Sequence, residues 1–147
     1  MNFMSSVVTT TDAGNGVGYT GIRVRGSDAT RVNVTLNGIP YNDSESHGSF
    51  WVNMPDFASS LENLQLQRGV GTSTNGSGAF GASLNLLTDA YAEKSSGEIS
   101  NSFGSYNTRK HTIKFSTGLM KNAFELSGRL SNINSDGYID RAKSNLK

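Results

Sequence analysis

Apolar and polar positions alternate with a period of two along most of the chain. Between residues 21 and 26, Ile22 and Val24 alternate with Arg23 and Arg25. Between 32 and 37, Val32, Val34 and Leu36 alternate with Asn33, Thr35 and Asn37. Each run puts its apolar side chains on one side of an extended backbone and predicts a half-buried strand. Asn37-Gly38 supplies the two positive-φ residues of a type I′ turn, with residues 39–41 returning, so VNVTLNGIPY predicts a hairpin.

Residues 42–54, NDSESHGSFWVNM, have no period and predict an excursion loop. One short helix is expected over about 55–61. Pro55 suits a first helical turn, Asp56 suits the positive end of the dipole, and Phe57 and Leu61, with Ala58, share a face. Leu64 and Leu66 alternate with Gln65 and Gln67 in the next strand, which ends at Arg68. A glycine-rich loop follows, then a strand over 82–88.

Beyond residue 88 the alternating segments lengthen. Ile99 and Phe103 mark one. Ile113 and Phe115 mark a second, between Thr112, Lys114 and Ser116. Phe124, Leu126, Gly128 and Leu130 mark a third, against Glu125, Ser127, Arg129 and Ser131. Segments of about 10 residues, separated by the turns SYNT and LMKN, fit membrane β-barrel strands. Periodicity alone favours the blander reading, an ordinary antiparallel meander of a soluble protein.

Composition sharpens this picture. Gly, Ser, Thr and Asn make up 65 of the 147 residues, which favours a turn-rich β protein with a core large enough for one domain. The net charge of +1 gives no electrostatic case for nucleic acid. Without cysteine there are no disulfides or thiolate metal sites. The net charge is −2 over residues 1–88 (4 basic, 6 acidic) and +3 over 89–147 (9 basic, 6 acidic). The expected division is therefore 1–88, a connecting segment over 89–97, and 98–147. The N-terminal MNFMSSVVTTTD has neither a basic region nor an apolar run and does not read as a secretory signal, provided Met1 is a true start.

Gly76, Gly78 and Gly81 spell G-x-G-x-x-G, the spacing that cradles a dinucleotide pyrophosphate. The fingerprint needs a helix opening within it. Here Leu84 and Leu86 alternate with Ser83 and Asn85 as in a strand, so no helix N-terminus is available for a phosphate. The glycines instead predict close backbone approach or positive φ. Asp43, Glu45 and His47 could hold a metal or act as an acid and base, but a segment without regular structure fixes no geometry, and they read as solvated loop residues. His111, among Lys110 and Lys114, reads as a polar-face residue. No nucleophile with an activating base is recognisable, and no cofactor or metal ion is expected. Arg25 and Arg68 each precede a glycine at a strand end, in IRVRG and LQLQRG, where a guanidinium could pair with carboxylates on a facing surface.

GIRVRGSDATRVNVTLNGIPYNDSESHG followed by SSLENLQLQRGVGTSTNGSGAFGASLNLLT resembles the plug domain of TonB-dependent outer-membrane receptors. The resemblance is dense over residues 8–88. The segment through SDGYIDRA, residues 135–142, resembles the first strands and an early loop of the same family's barrel. It implies a mixed, mostly β fold: a partial plug with a small mixed sheet and a short helix, then the first antiparallel strands of a barrel of about 22 strands.

The resemblance also implies a function. Such receptors catalyse no covalent reaction. They sit in the outer membrane of Gram-negative bacteria and import scarce nutrients, most commonly ferric siderophores, with energy from the TonB complex. Carried onto this sequence, Arg25 and Arg68 match plug arginines that latch to glutamates of the barrel wall. Asn42, Asp43, Glu45, His47, Trp51, Thr72 and Asn75 fall in plug loops, some of which face substrate. Gly76, Ala79, Gly81, Asn85 and Thr88 match the motif that closes the plug. No TonB box, the energy-coupling segment, is recognisable before Val7, and at most three barrel strands are expected. The chain is therefore read as a fragment whose partners are the rest of its own barrel, the TonB complex and a nutrient ligand. A soluble β-rich ligand- or carbohydrate-binding module is the alternative.

Overall fold

The computed structural model describes residues 4–12, 17–70, 79–88 and 91–147. They form two compact units: one of the described residues up to Thr88 other than Val17, the other of Val17 and those from Tyr91 onward.

In the first unit, β1 (Val7–Thr11) pairs antiparallel with β2 (Thr20–Val24), with Val7 opposite Val24. Arg25 and Gly26 have φ of 52° and 78°, so the strand stops one residue before the sequence alternation does. A 3₁₀ turn over Ala29–Arg31 is capped by the Asp28 carboxylate, which accepts the Thr30 N–H at 3.0 Å. That bond holds the Asp28 pKa below the usual carboxylate range. β3 (Val32–Leu36) and β4 (Ile39–Pro40) form the expected hairpin, with Asn37 and Gly38 at φ of 51° and 81°.

The helix expected over 55–61 is a single 3₁₀ turn, Phe57–Ser60. Asp56 is left-handed at φ 56°, so it cannot join Pro55 to a helix; its carboxylate accepts the Ser59 hydroxyl at 2.7 Å. A run this short does not repay helix nucleation. β5 (Leu61–Arg68) follows at once, and β6 (Ala82–Thr88) completes a sheet of order β4-β3-β6-β5.

β3 and β6 run parallel, with Val32 opposite Ala82, whereas β5 is antiparallel to β6, with Arg68 opposite Ala82. Val32, Val34, Ala82, Leu84 and Leu86 share one face and are buried against Ile22 and Val24 of β2. Trp51, Phe57, Leu64 and Leu66 pack around this core, each contributing burial at roughly 25 cal/mol per Å² of apolar surface covered.

The second unit is an antiparallel meander of β7 (Ser96–Gly104), β8 (Thr108–Ser116), β9 (Ser127–Ser135) and β10 (Ser144–Leu146), adjacent in chain order. Tyr106 and Asn107, then Lys121 and Asn122, take positive φ in the two tight turns. β9 begins later than the alternation from Phe124 suggests. Phe124 is held in an isolated bridge to Met120, and the paired run starts at Ser127. β10 is a fourth strand beyond the three expected, too short for periodicity to reveal.

Candidate functional site

The two arginines singled out in the sequence lie at one end of the first unit. Arg68 closes β5, and its Nη1 donates to Ser5 Oγ at 2.7 Å and to the Ser5 carbonyl at 3.4 Å. Arg25 stands just past β2; its N–H donates to the Ser6 carbonyl at 2.8 Å, and its Nη1 lies 3.9 Å from where a Cβ on Gly69 would be. Ser5, Ser6 and Gly69 thus gather both guanidinium-bearing residues. No carboxylate among the described residues pairs with either.

Loop residues 42–51 divide between framework and surface. Asn42 is framework: its Oδ1 accepts the Val34 N–H at 2.6 Å, and its Nδ2 donates to the carbonyls of Val32 at 3.0 Å and His47 at 2.9 Å. Asp43 accepts the N–H and hydroxyl of Ser46 at 2.7 and 2.8 Å. The amide bond above all, then the hydroxyl, holds its pKa below the usual range. Trp51, in the 3₁₀ turn Trp51–Asn53, packs on the core. Glu45 and His47 are exposed at the loop tip, His47 at φ 57°. Among the described residues no group of acids and histidines is placed to hold a metal.

Ala79, Gly81, Asn85 and Thr88 each have a definite task. Ala79 is buried. Gly81 N–H donates to the Arg31 carbonyl and its carbonyl accepts the Gly69 N–H, both at 2.9 Å. A Cβ there would stand 2.7 Å from the Arg31 carbonyl oxygen, which is the close backbone approach the sequence predicts. Asn85 Oδ1 accepts the Thr35 hydroxyl at 2.7 Å, and Thr88 exchanges hydrogen bonds with the Asn37 side chain at the hairpin turn. Thr72, Asn75 and Gly76 lie outside the described residues.

Register adds a feature that the sequence reading missed. Opposite the core, the sheet carries uncharged polar rows: Asn33, Ser83 and Gln67 side by side, then Thr35, Asn85 and Gln65. Ser83 is fully buried, and its hydroxyl has no partner among the described residues. The alternation within each strand was the available signal; the parallel pairing that aligns the rows was not readable.

The second unit has two unlike faces. On one, Glu98, Lys114 and Arg129 stand in a row, next to Ser100, Thr112 and Ser131. On the other, Ile99, Ile113 and Leu130 form a row that is 73%, 49% and 69% exposed. Phe115 lies beside that row, over Gly128, where a Cβ would meet its ring at 2.8 Å. His111 is on this apolar face and not, as expected, on the polar one, because its parity is that of Ile113; its charged neighbours Lys110 and Lys114 are of the opposite parity.

A mixed plug-like sheet followed by an antiparallel sheet with an exposed apolar face defines a class: a plug joined to the first strands of a β-barrel. The sequence matches the family model of the TonB-dependent receptor plug domain over residues 1–83, and the chain belongs to that family. The structure is similar to the ferripyoverdine receptor of the outer membrane of Pseudomonas aeruginosa, with 15% identity, TM-score 0.60, and coverage of 79% of this chain and 15% of that one. It is similar to the ferric yersiniabactin uptake receptor FyuA from Yersinia pestis, with 16% identity, TM-score 0.60, and coverage of 90% and 20%. It is also similar to the copper transporter OprC, with 16% identity, TM-score 0.66, and coverage of 96% and 21%. The chain thus spans about a fifth or less of these structures. No protein of curated function matches it.

Proposed function

We propose that this chain is the plug region and first barrel strands of an outer-membrane receptor that imports a scarce nutrient, an iron chelate first among candidates, with energy delivered by the TonB complex. The family match carries this reading, and the similarity to receptors for ferric chelates supports the choice of cargo. Residues 1–88 act as plug, 89–97 as connection and 98–147 as the start of the barrel. No covalent reaction is involved.

In this mechanism, ligand is met by exposed plug-loop groups such as Glu45 and His47, while Asn42, Asp43 and Trp51 hold that loop in shape. Arg25 and Arg68 latch the plug to carboxylates of the barrel wall. The less buried members of the polar rows, Asn33, Gln65 and Gln67, suit a surface that must part from its neighbour. Neutral hydrogen bonds are each worth about 1 kcal/mol net, so they separate at modest cost. The exposed row of Ile99, Ile113 and Leu130 disfavours a soluble binding module.

The test is transport by the complete receptor that carries this chain, expressed in a Gram-negative host lacking its own iron-chelate receptors. Growth on one or more ferric chelates is expected, and only in the presence of TonB. A panel of chelates that supports no growth contradicts the cargo, and growth without TonB contradicts the mechanism.

A further inference from the structure

We propose that the outward face of the second unit's sheet, at the end near the β7–β8 turn, binds the phosphate of an anionic lipid headgroup. The inference rests on the outer-membrane reading above. On this face the apolar row of Ile99, Ile113 and Leu130 gives way to Asn101, His111 and Asn132, then to Phe103, Arg109 and Asn134. None of the positions that β7, β8 and β9 place on this face is a carboxylate; Glu98 lies on the other. One end is therefore built for acyl chains, and the adjoining end is built of hydrogen-bond donors around a permanent positive charge.

The donors are held in place by their neighbours. Asn107 Oδ1 accepts Arg109 Nε–H at 3.1 Å, which orients the guanidinium and leaves its terminal nitrogens for a two-pronged bond to phosphate. Asn101 Oδ1 accepts from His111 Nδ1 at 2.6 Å, which fixes the ring; Nε2 of the neutral imidazole is then the acceptor for a hydroxyl of a phosphate monoester. The Phe103 ring meets the His111 ring edge-on at 6.2 Å. Asn134 Nδ2 donates to Asn132 Oδ1 at 3.1 Å. The nearby acid, Asp136, is engaged by Asn107 Nδ2 at 3.1 Å and by Lys143 at 3.7 Å, so it is not the partner of Arg109.

Depth also favours this assignment. A cation on the lipid side of a barrel is strongly destabilising at the bilayer midplane and tolerated at the interface, where headgroup phosphates lie. Arg109 and His111 occupy alternate positions of one strand, roughly 7 Å apart along it, a span one headgroup can bridge.

The experiment uses the complete receptor, reconstituted in phosphatidylcholine containing either phosphatidic acid or diacylglycerol, with retained lipid counted by native mass spectrometry. The wild type is expected to retain phosphatidic acid preferentially. Arg109→Gln combined with His111→Gln is expected to lose that preference, by about fivefold for the permanent charge of Arg109 alone. Equal retention of the two lipids by wild type, or an equal preference in wild type and variant, overturns the proposal. Displacement of phosphatidic acid by equimolar inorganic phosphate makes the site one for a free anion and overturns the lipid assignment. Insertion of wild type and variant into pure phosphatidylcholine, read by heat-modifiable electrophoretic mobility, tests the outer-membrane reading separately. A receptor that inserts without lipid preference sinks this inference alone.

Discussion

The carboxylate of Glu125 accepts the backbone N–H of Ala92 at 2.9 Å, pinning the segment that enters β7 to the hairpin between β8 and β9. The same carboxylate accepts the Ser116 hydroxyl, and Ser116 Oγ accepts the Gly118 N–H at 2.9 Å. Gly118 is so closely covered that a Cβ there would lie 2.5 Å from the Lys94 carbonyl carbon.

Glu125→Ala removes a charge-assisted hydrogen bond whose net worth is about 1.5–3 kcal/mol. Local opening should rise accordingly, and exchange of the Ala92 amide hydrogen should quicken by about ten- to a hundredfold. Hydrogen exchange on the complete receptor reads this directly. An unchanged Ala92 rate would show that the carboxylate does not hold the segment.

Gly81→Ala places a methyl group against the Arg31 carbonyl oxygen and Ser27 Cβ, at 2.7 and 2.9 Å. Backbone cannot yield there as a flexible side chain could, so a loss of about 1–3 kcal/mol is expected. Denaturant unfolding of the plug checks it, with Gly48→Ala as the control in the same unit, where a Cβ would meet nothing nearer than 3.7 Å. Equal stability of the two variants would remove the packing argument for this glycine.

Asn42→Ala leaves the Val34 N–H and the Val32 carbonyl without their side-chain partner at the edge of the core. The expected cost is about 1–3 kcal/mol for each group left unsatisfied. Glu45→Gln, at the exposed tip, should leave stability unchanged and alter ligand affinity only. A thermal melt paired with ligand titration separates the two. Loss of stability in the Glu45 variant, or none in the Asn42 variant, reverses the division of the loop into framework and contact.

Acid should loosen this loop in a defined direction. The Asp43 pKa is lowered in the folded state from 3.8, so its contribution is fully present above the unfolded value and is lost as pH falls through the lower, folded one. Exchange of the Ser46 amide is therefore expected to be flat at neutral pH, once intrinsic rates are divided out, and to rise below 3.8. Asp43→Asn should flatten that rise. A rise of equal size in the variant would assign the acid response elsewhere.

Most of the local structure was legible because each strand carries its own signal. Ile22 and Val24, Val32 and Val34, and Leu84 and Leu86 alternate strictly, and Asn37-Gly38 dictates its turn. Pairing between distant segments was not legible. Thr35 meets Asn85 only because β3 and β6 lie side by side, and periodicity says nothing of which strands are neighbours. The helix failed because Asp56 prefers its own hydroxyl contact in a left-handed conformation to starting a helix. Asn42 read as a surface loop residue because nothing in sequence marks an amide that will staple a loop to the adjacent strand. His111 was misplaced by weighing its charged neighbours above its parity.

The central claim is tested most directly by accumulation of radiolabelled iron, presented as a ferric chelate, in cells that carry the complete receptor with or without TonB. Accumulation is expected with TonB and should fall to background without it. Arg25→Ala with Arg68→Ala should change the TonB-dependent rate. Accumulation that is the same in both hosts, or absent in both, would contradict a TonB-driven receptor for iron chelates.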